Sequence, residues 1–163
     1  MTESGNKLVK LFVSKSEETN LTAMNNGKDL VVYPQIPTAK ADKYRGSFLI
    51  GKDETILYIR DTSFWNNANE GTVITDLGIT VIPDNNAPGD VRYYKWEDIS
   101  HVEYKEQTLL IYKTESEDPM PIPLKSLIKS RQDNEYSIIG NKFVDIFNAM
   151  AEAVEQMNCQ LFE

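Results

Sequence analysis

One segment, residues 56–81, constrains the fold of this chain most strongly. Two apolar runs rich in isoleucine, valine and threonine flank a polar loop that ends in Gly71, and a tight turn at residues 75–78 follows. This order of apolar runs and turn residues predicts a β-hairpin that continues into a third antiparallel strand. We expect Gly78 to supply the positive φ that such a hairpin turn needs.

The pattern typical of strands extends from residue 55 to residue 124. Valine, isoleucine, threonine and aromatic residues fill the apolar runs, and turn residues separate them. Seven strands are predicted, at residues 55–61, 71–75, 78–83, 91–95, 99–105, 108–114 and 120–124. Their short connections favour antiparallel neighbours, because a parallel pair needs a long crossover. Pro121 and Pro123 predict that the last strand lies at the edge of its sheet.

The clearest helical pattern covers residues 142–157, with Asn141 as its N-cap. One apolar stripe runs along this helix, formed by Phe143, Ile146, Phe147, Met150, Val154 and Met157. A helix with a single apolar stripe buries that stripe against another element, so we expect it to close one end of a curled sheet. The residues before it, 125–139, are interpreted as a connector of mixed character.

The first third of the chain carries two weaker helical patterns. Pro37 suits a first helical turn, and apolar residues at helical spacing follow it, which predicts a helix over residues 37–50. Gly51 is expected to be its C-terminal cap. Residues 7–13 fit one face of a helix and also one face of a strand, and we favour the helix.

Four short motifs punctuate the predicted strands. They are Asp61-Thr62-Ser63-Phe64, Glu70-Gly71, Thr75-Asp76-Leu77-Gly78-Ile79 and Trp96-Glu97-Asp98-Ile99. Together with the Ile36-Pro37 step, they resemble a group of bacterial pleckstrin-homology-like (PH-like) domains over residues 36–157. The chain departs from the pattern of that group at Trp65, where glycine is common, and at Asn69, where lysine is common.

The resemblance implies a fold that is mainly β with α. It would be a PH-like, seven-stranded antiparallel barrel or sandwich closed by a C-terminal helix. The predicted domain order is a partly helical accessory segment at residues 1–52, then the barrel with its helix at residues 53–163. The resemblance also implies a non-enzymatic domain, although a fold alone does not fix a function.

The composition restricts the partners of this chain. Its 17 lysines and arginines against 25 aspartates and glutamates give a formal charge of −8. An acidic surface repels phosphate backbones and anionic lipid, so we expect no nucleic-acid partner and disfavour a membrane. The single cysteine, Cys159, cannot close an intrachain disulfide. The sequence contains no signal-peptide pattern and no apolar run of transmembrane length, which predicts a cytoplasmic protein.

The residue sets that catalysis and cofactor binding need are missing. There is no GxGxxG or GxxxxGK[ST] loop, and one histidine with one cysteine cannot build a structural zinc site. A nucleophilic triad would need His101 as its base. We interpret His101, in the predicted strand 99–105, as a solvent-facing or sheet-edge residue. We therefore expect no cofactor, no metal and no catalytic activity, and an unrecognised enzyme is the third alternative.

Anionic lipid binding is the second alternative. Phosphoinositide sites in PH domains need basic residues around the first hairpin loop. Residues 61–91 contain five acids and no lysine, arginine or histidine, so this stretch lacks the basic residues that would form such a pocket. A basic group does follow at Lys125, Lys129 and Arg131, and it is the candidate anion- or lipid-binding site.

The leading hypothesis is a domain that binds a protein or peptide through a sheet edge or the first hairpin. Phe64, Trp65, Asn66 and Asn67 are the candidate partner-binding residues, because an exposed aromatic beside polar residues can anchor a partner. For Trp65 itself we favour a core position that closes the barrel, and the exposed anchor is the alternative. The sequence specifies neither the partner's identity nor an oligomeric state.

Overall fold

The computed structural model describes residues 2–63, 68–83, 91–129 and 133–161. The α-helices in this part of the chain are α1 (Glu3–Glu18), α2 (Thr38–Ser47) and α3 (Asp133–Gln160). Short 3₁₀ turns cover Leu21–Met24, Trp96–Asp98 and Leu124–Ser126. The strands are β1 (Leu30–Val32), β2 (Ile56–Asp61), β3 (Gly71–Thr75), β4 (Gly78–Ile82), β5 (Arg92–Lys95), β6 (Ile99–Lys105), β7 (Thr108–Lys113) and β8 (Met120–Pro123).

The strands form two antiparallel sheets. The first has five strands in the order β1-β2-β3-β4-β5, and the second has three in the order β6-β7-β8. The long helix α3 packs against β6, against the 3₁₀ turn at Trp96–Asp98 and against α1. The fold is therefore mixed α/β, with an N-terminal helix, two antiparallel sheets and a long C-terminal helix that contacts the strands.

The predicted strand boundaries agree with β2 to β8 to within one residue at each end. The predicted count of seven strands was wrong, because Leu30–Val32 forms an additional strand. Val31 of this strand pairs with Ile59 of β2. Three residues between two turns give no readable alternation, so the strand is defined by its partner rather than by its own sequence. The predicted edge position of β8 is confirmed, since β8 pairs with β7 alone.

Helix α2 ends earlier than predicted and without glycine. Ser47 is its last residue, Phe48 is its C-cap, and Leu49 adopts a left-handed φ of 56°. The N–H of Ile50 donates to the carbonyl of Arg45 at 3.0 Å, which is the bond of a Schellman cap. The prediction that Gly51 caps this helix was wrong, because the turn at Leu49 brings Phe48 and Ile50 into a buried cluster.

Helix α3 begins at Asp133 rather than at residue 142, so the predicted connector was too long at its C-terminal end and the predicted Asn141 N-cap was wrong. Asn141 lies inside the helix and donates to the carbonyl of Ser137 at 2.8 Å. At Gly140, an added Cβ would lie 2.3 Å from the ring of Tyr104 on β6. The residue that weakens the helical pattern is therefore the one that lets α3 approach β6 closely.

The two faces of the first sheet belong to different cores. The predicted stripe on α3 packs against one face, where Phe143, Phe147 and Met150 are fully buried with residues of α1. Burial of one such side chain contributes about 1.5–3 kcal/mol. The opposite face packs against Tyr44 and Phe48 of α2. Residues 1–52 thus supply β1, α1 and α2, and the domain boundary at residue 52 stays a prediction.

No helix among the described residues combines the length and the apolar character that crossing a bilayer needs.

Candidate functional site

All four predicted partner-binding residues fall in a part of the chain that the structure does not describe. Phe64, Trp65, Asn66 and Asn67 lie outside the described residues, and so does Arg131. The prediction about the burial of Trp65 therefore stays a prediction. The structure does describe the residues that flank this loop, and it describes Lys125 and Lys129.

The loop after β2 is anchored by the buried carboxylate of Asp61. This carboxylate accepts hydrogen bonds from the backbone N–H of Ser63 at 2.9 Å and of Ala68 at 3.1 Å. It also accepts from the hydroxyls of Ser63 and of Tyr44 on α2. Burial raises the pKa of Tyr44, and the bond to Asp61 raises it further. Asp61, the first residue of one matching motif, thus holds both ends of the loop and ties them to α2.

A buried ion pair lies beside this anchor. Arg60 donates to the carboxylate of Asp29 at 2.6 Å and to the carbonyl of Asp61 at 2.9 Å. Burial opposes ionisation of Asp29, but hydrogen bonds from Asn26 and Arg60 outweigh it and hold the pKa of Asp29 below its usual value. Lys129 approaches the same carboxylate at 3.4 Å. Asp29 therefore shares its charge between Arg60 and Lys129.

The two described residues of the predicted lipid-binding set, Lys125 and Lys129, have different surroundings. Lys129 is exposed but lies beside Asp29, which neutralises part of its charge. Lys125 is exposed on the 3₁₀ turn at Leu124–Ser126. The described members of this set therefore present one lysine on a surface turn and one lysine paired with an acid.

The turn between β3 and β4 is built around Thr75. Its hydroxyl accepts from the N–H of Leu77 at 3.1 Å and donates to Glu54 at 2.8 Å. Its carbonyl accepts from the indole N–H of Trp96 at 3.0 Å. Trp96 is buried. The threonine of the motif therefore closes the turn and connects it to the end of β5.

Asp76 and Gly78 suit this turn for two different structural reasons. The buried carboxylate of Asp76 accepts from the N–H of Thr55 at 2.8 Å, and burial raises its pKa. Gly78 does not have the positive φ that the sequence led us to expect. Instead, an added Cβ would lie 2.2 Å from the carbonyl oxygen of Tyr94. The glycine is needed because β4 and β5 approach closely at this point.

Two of the sheet edges are closed. Asn148 of α3 accepts from the N–H of Val102 at 2.8 Å and donates to its carbonyl at 3.0 Å, so its side-chain amide occupies a strand position beside β6. On β8, Pro121 and Pro123 lack a backbone N–H. Neither edge offers a continuous row of donors and acceptors to another strand.

Strand β5 lies at the far edge of the first sheet. The N–H of Trp96 donates to the carbonyl of Leu77 at 3.0 Å, and the next pair in register is Lys95 with Gly78. Hydrogen-bonded and non-hydrogen-bonded pairs alternate along antiparallel strands. The Lys95 pair is therefore of the non-hydrogen-bonded kind.

It follows that Tyr93 and Lys95 point their backbone N–H and C=O groups away from β4. Tyr94, between them, bonds to β4 and buries its ring in the core. No residue in the described ranges forms a strand on the outer side of β5. β5 thus presents an open row of donors and acceptors, at residues that the sequence analysis did not single out.

A groove of about 420 Å³ runs beside this edge, and we name it the β5 groove. Its lining includes Leu77, Tyr93 and Lys95 together with the start of α1 and the end of α3, where Leu8 and Met157 lie. Leu77 is 51% exposed and Tyr93 is 39% exposed, so both side chains are accessible to a partner. The groove therefore offers contact area next to the open edge.

The surroundings of Tyr93 are acidic. Burial raises the pKa of Tyr93 to about 12, and the carboxylates of Glu54, Asp76, Glu97 and Asp98 all act in the same direction. Each of these charges disfavours the phenolate form. The hydroxyl of Tyr93 thus lies in a region of negative potential at one end of the groove.

His101 is solvent-facing, in agreement with its predicted place. Its ring stacks on Tyr112 with centroids 4.3 Å apart, and Nδ1 lies 3.1 Å from the hydroxyl of Ser100. Nε2 lies 3.5 Å from Glu103, and the His101 side chain is half exposed. His101 does not line the β5 groove. Among the described residues, no three histidine, cysteine or acidic side chains converge as a metal site would require.

Comparisons with known proteins add no relative: no protein-family model, no curated protein and no solved structure matches the chain.

Proposed function

We propose that this chain is a non-catalytic, PH-like interaction domain that binds an extended segment of a protein partner as an added strand beside β5. The observation that carries the proposal is the outward orientation of the backbone groups of Tyr93 and Lys95. A segment laid along a free edge gains main-chain hydrogen bonds, and adjacent pockets select its side chains. Binding of this kind needs no cofactor, and the domain would act in the cytoplasm.

The closure of both edges of the second sheet supports the choice of β5. Natural proteins cover or blunt sheet edges, because an open edge pairs with other chains. Here Asn148 covers β6 and prolines blunt β8, whereas β5 keeps its outer groups. An open edge beside a groove of about 420 Å³ offers a partner strand both backbone and side-chain contacts.

The arrangement of elements supports the PH-like part of the proposal. Strands β2 to β5 and β6 to β8 reproduce the expected seven, split between two sheets, and α3 packs on them. β1 and the two N-terminal helices are additions to that layout. The described residues give less support to lipid binding, because Lys129 is paired with Asp29 and residues 61–91 contribute only acids.

A proline at residue 95 tests the proposal. Lys95 has φ −74° and ψ 139°, which proline adopts without strain, and its N–H does not bond to β4. Lys95→Pro therefore removes one outward donor and leaves the sheet intact. Lys95→Ala is the matched control, because it removes the same charge and keeps the donor.

The probe is a displayed library of linear peptides, selected on the full chain. We expect selected peptides to bind Lys95→Ala and the parent chain within a few-fold of each other. We expect Lys95→Pro to weaken binding at least about tenfold, which corresponds to 1.4 kcal/mol. Equal binding to Lys95→Pro, with its thermal unfolding unchanged, would overturn strand addition at β5. A selection that yields no binding peptide would also contradict the proposal.

A further inference from the structure

We infer that the segment bound beside β5 runs antiparallel to it and inserts one large, uncharged apolar side chain into the β5 groove. The inference rests on the proposed function and names the chemistry of the partner. It assigns main-chain bonding and side-chain insertion to different residues of the segment. Both assignments follow from the register of the first sheet and from the residues that line the groove.

The side chains of β5 alternate between the two faces of the first sheet. Tyr94 is buried in the core with residues of α1 and α3, and we name this side the α3 face. Tyr93 pairs with Thr80, and Thr80 pairs with Val73, which belongs to the cluster that α2 covers. Residues directly opposite each other on paired strands share a face. Tyr93, and Lys95 two positions on, therefore point to the α2 face.

Leu77 lies on the α3 face, beside Trp96. The N–H of Trp96 donates to the carbonyl of Leu77 at 3.0 Å, so the two residues stand opposite each other. The ring of Trp96 lies 5.5 Å from that of Phe147 on α3. The apolar lining of the groove comes from this pair, from α1, from the end of α3 and from the residue after it, and it consists of Leu8, Leu77, Trp96, Val154, Met157 and Leu161. A side chain of the partner thus reaches this lining from the α3 face.

The charges of the groove are balanced. Its described lining contains the acids Glu3, Asp76 and Glu97 and the bases Lys7 and Lys95. Lys7 lies 3.6 Å from Glu3, and Lys95 lies 3.7 Å from Glu97. Burial raises the pKa of Asp76, and the chain's α-amino group opposes that rise, so a positive charge acts on the third acid as well. A charged side chain inserted here would lose hydration without meeting a net opposite charge, which favours an uncharged one.

The apolar lining determines the size of the inserted residue. Leu77 and Leu161 are exposed, and the groove of about 420 Å³ has room for a large side chain. Covering these leucines with a leucine, isoleucine, methionine or phenylalanine removes apolar surface from water. An alanine or a polar residue at the same position would leave much of that surface hydrated.

The main-chain bonds of the segment fall on other residues. Every strand pair in the described ranges is antiparallel, and antiparallel pairing is the more stable kind per residue. In an antiparallel pair, the residue opposite Tyr93 or Lys95 exchanges both main-chain bonds with it and shares its face. That residue therefore points to the α2 face, away from the apolar lining.

The inserted residue is a neighbour of one that bonds to β5. It stands opposite Trp96, on the α3 face, and its own N–H is turned away from β5. Because the two strands run in opposite directions, it comes immediately before the residue opposite Lys95. Side-chain insertion and main-chain bonding thus alternate along the segment.

The test uses peptides selected as above whose binding Lys95→Pro weakens. We expect one large apolar residue whose replacement by alanine weakens binding at least about tenfold, whereas N-methylation of its amide changes binding only a few-fold. The next residue should show the reverse pattern. N-methylation there should weaken binding at least about tenfold, because that N–H bonds to Lys95, and alanine should be tolerated.

A protein variant provides the reciprocal measurement. Leu77→Ala removes exposed apolar surface from the groove and should weaken binding of the selected peptide several-fold. It should have little further effect on the peptide whose apolar residue is already alanine. Ile138→Ala is the matched control, because Ile138 is 59% exposed on α3 and does not line the groove.

The failure of this inference is distinguishable from the failure of the proposed function. If Lys95→Pro-sensitive peptides lack a large apolar residue, or if lysine or glutamate replaces it without loss, the inference is overturned and strand addition stands. The same holds if N-methylation of the apolar residue itself is the damaging change, which would indicate parallel pairing. If no peptide is sensitive to Lys95→Pro, the proposed function fails with it.

Discussion

Asn148 on α3 pairs through its side-chain amide with both backbone groups of Val102 on β6. An asparagine side chain here takes the position of a neighbouring strand. It satisfies one donor and one acceptor and prevents another chain from using that edge. The contrast with β5, whose outer groups at Tyr93 and Lys95 face away from the sheet, defines the surface that we propose for binding.

Replacing Asn148 should therefore destabilise the fold and expose β6. Asn148→Ala leaves the N–H and carbonyl of Val102 without their partner, which we expect to cost about 1–3 kcal/mol in the free energy of unfolding. Chemical denaturation of both proteins measures this difference. Asn141→Ala, which removes an exposed amide from the same helix, should change stability by less than about 0.5 kcal/mol. Equal effects of the two substitutions would contradict the role given to Asn148.

Two glycines should respond in opposite directions to the same change. Gly78→Ala places a Cβ 2.2 Å from the carbonyl oxygen of Tyr94, so β4 and β5 must separate, at about 1–3 kcal/mol or more. Gly46→Ala, inside α2, meets no atom within 4 Å and should stabilise the chain by about 0.5–1 kcal/mol. Thermal unfolding of the two variants gives the comparison. A neutral Gly78→Ala would show that the close approach of the two strands is not required.

The hydroxyl of Tyr44 should contribute to stability through Asp61. Tyr44→Phe removes one of the donors to a buried carboxylate, and we expect a loss of about 1–3 kcal/mol. Tyr33→Phe is the control, because it removes a hydroxyl from a side chain that is only partly buried. Urea denaturation at neutral pH measures both changes. If Tyr44→Phe unfolds with the midpoint of the parent chain, the carboxylate does not depend on this bond.

The buried Asp76 should make stability depend on pH. Burial raises its pKa in the folded chain above the ordinary value of 3.8, so the folded state binds the proton more tightly than the unfolded state. Stability from this group is therefore fully present below the ordinary value and is lost as the pH rises through the folded pKa. Above that range, both states are ionised and the loss is constant.

Asp76→Asn tests this dependence, because its amide oxygen can still accept from Thr55. We expect the variant to gain stability relative to the parent chain as the pH rises from below 3.8, and then to keep a constant advantage. Unfolding free energies across the pH range measure it. Asp53→Asn, which removes an exposed carboxylate, controls for the change in net charge. An advantage that shrinks with rising pH would have the wrong sign for this account.

The sequence predicted those elements whose pattern is local. Strands β2 to β8 were found because β-branched residues and turn residues alternate at short intervals, and the stripe on α3 was found because it repeats at helical spacing. β1 was missed because three residues carry no period. The left-handed Leu49 was missed because only tertiary packing of Phe48 and Ile50 requires it.

The candidate site was harder to predict for a related reason. Tyr93 and Lys95 lie in a strand that was predicted correctly, but its position at the sheet edge depends on the pairing of all five strands. Asn148 offered one local signal, since it is a polar residue directly after Phe147 on the buried side of α3. Its partner Val102 lies 46 residues away, so the sequence could not show what the amide binds.

Amide hydrogen exchange of β5 tests the central claim most directly. The full chain is measured alone and with a selected peptide whose binding Lys95→Pro weakens. We predict that the amides of Tyr93 and Lys95 become at least about tenfold more protected on binding, because they acquire hydrogen-bond acceptors. The amide of Tyr94, already bonded to β4, should change much less. Protection confined to other parts of the chain, with Tyr93 and Lys95 unchanged, would contradict strand addition at β5.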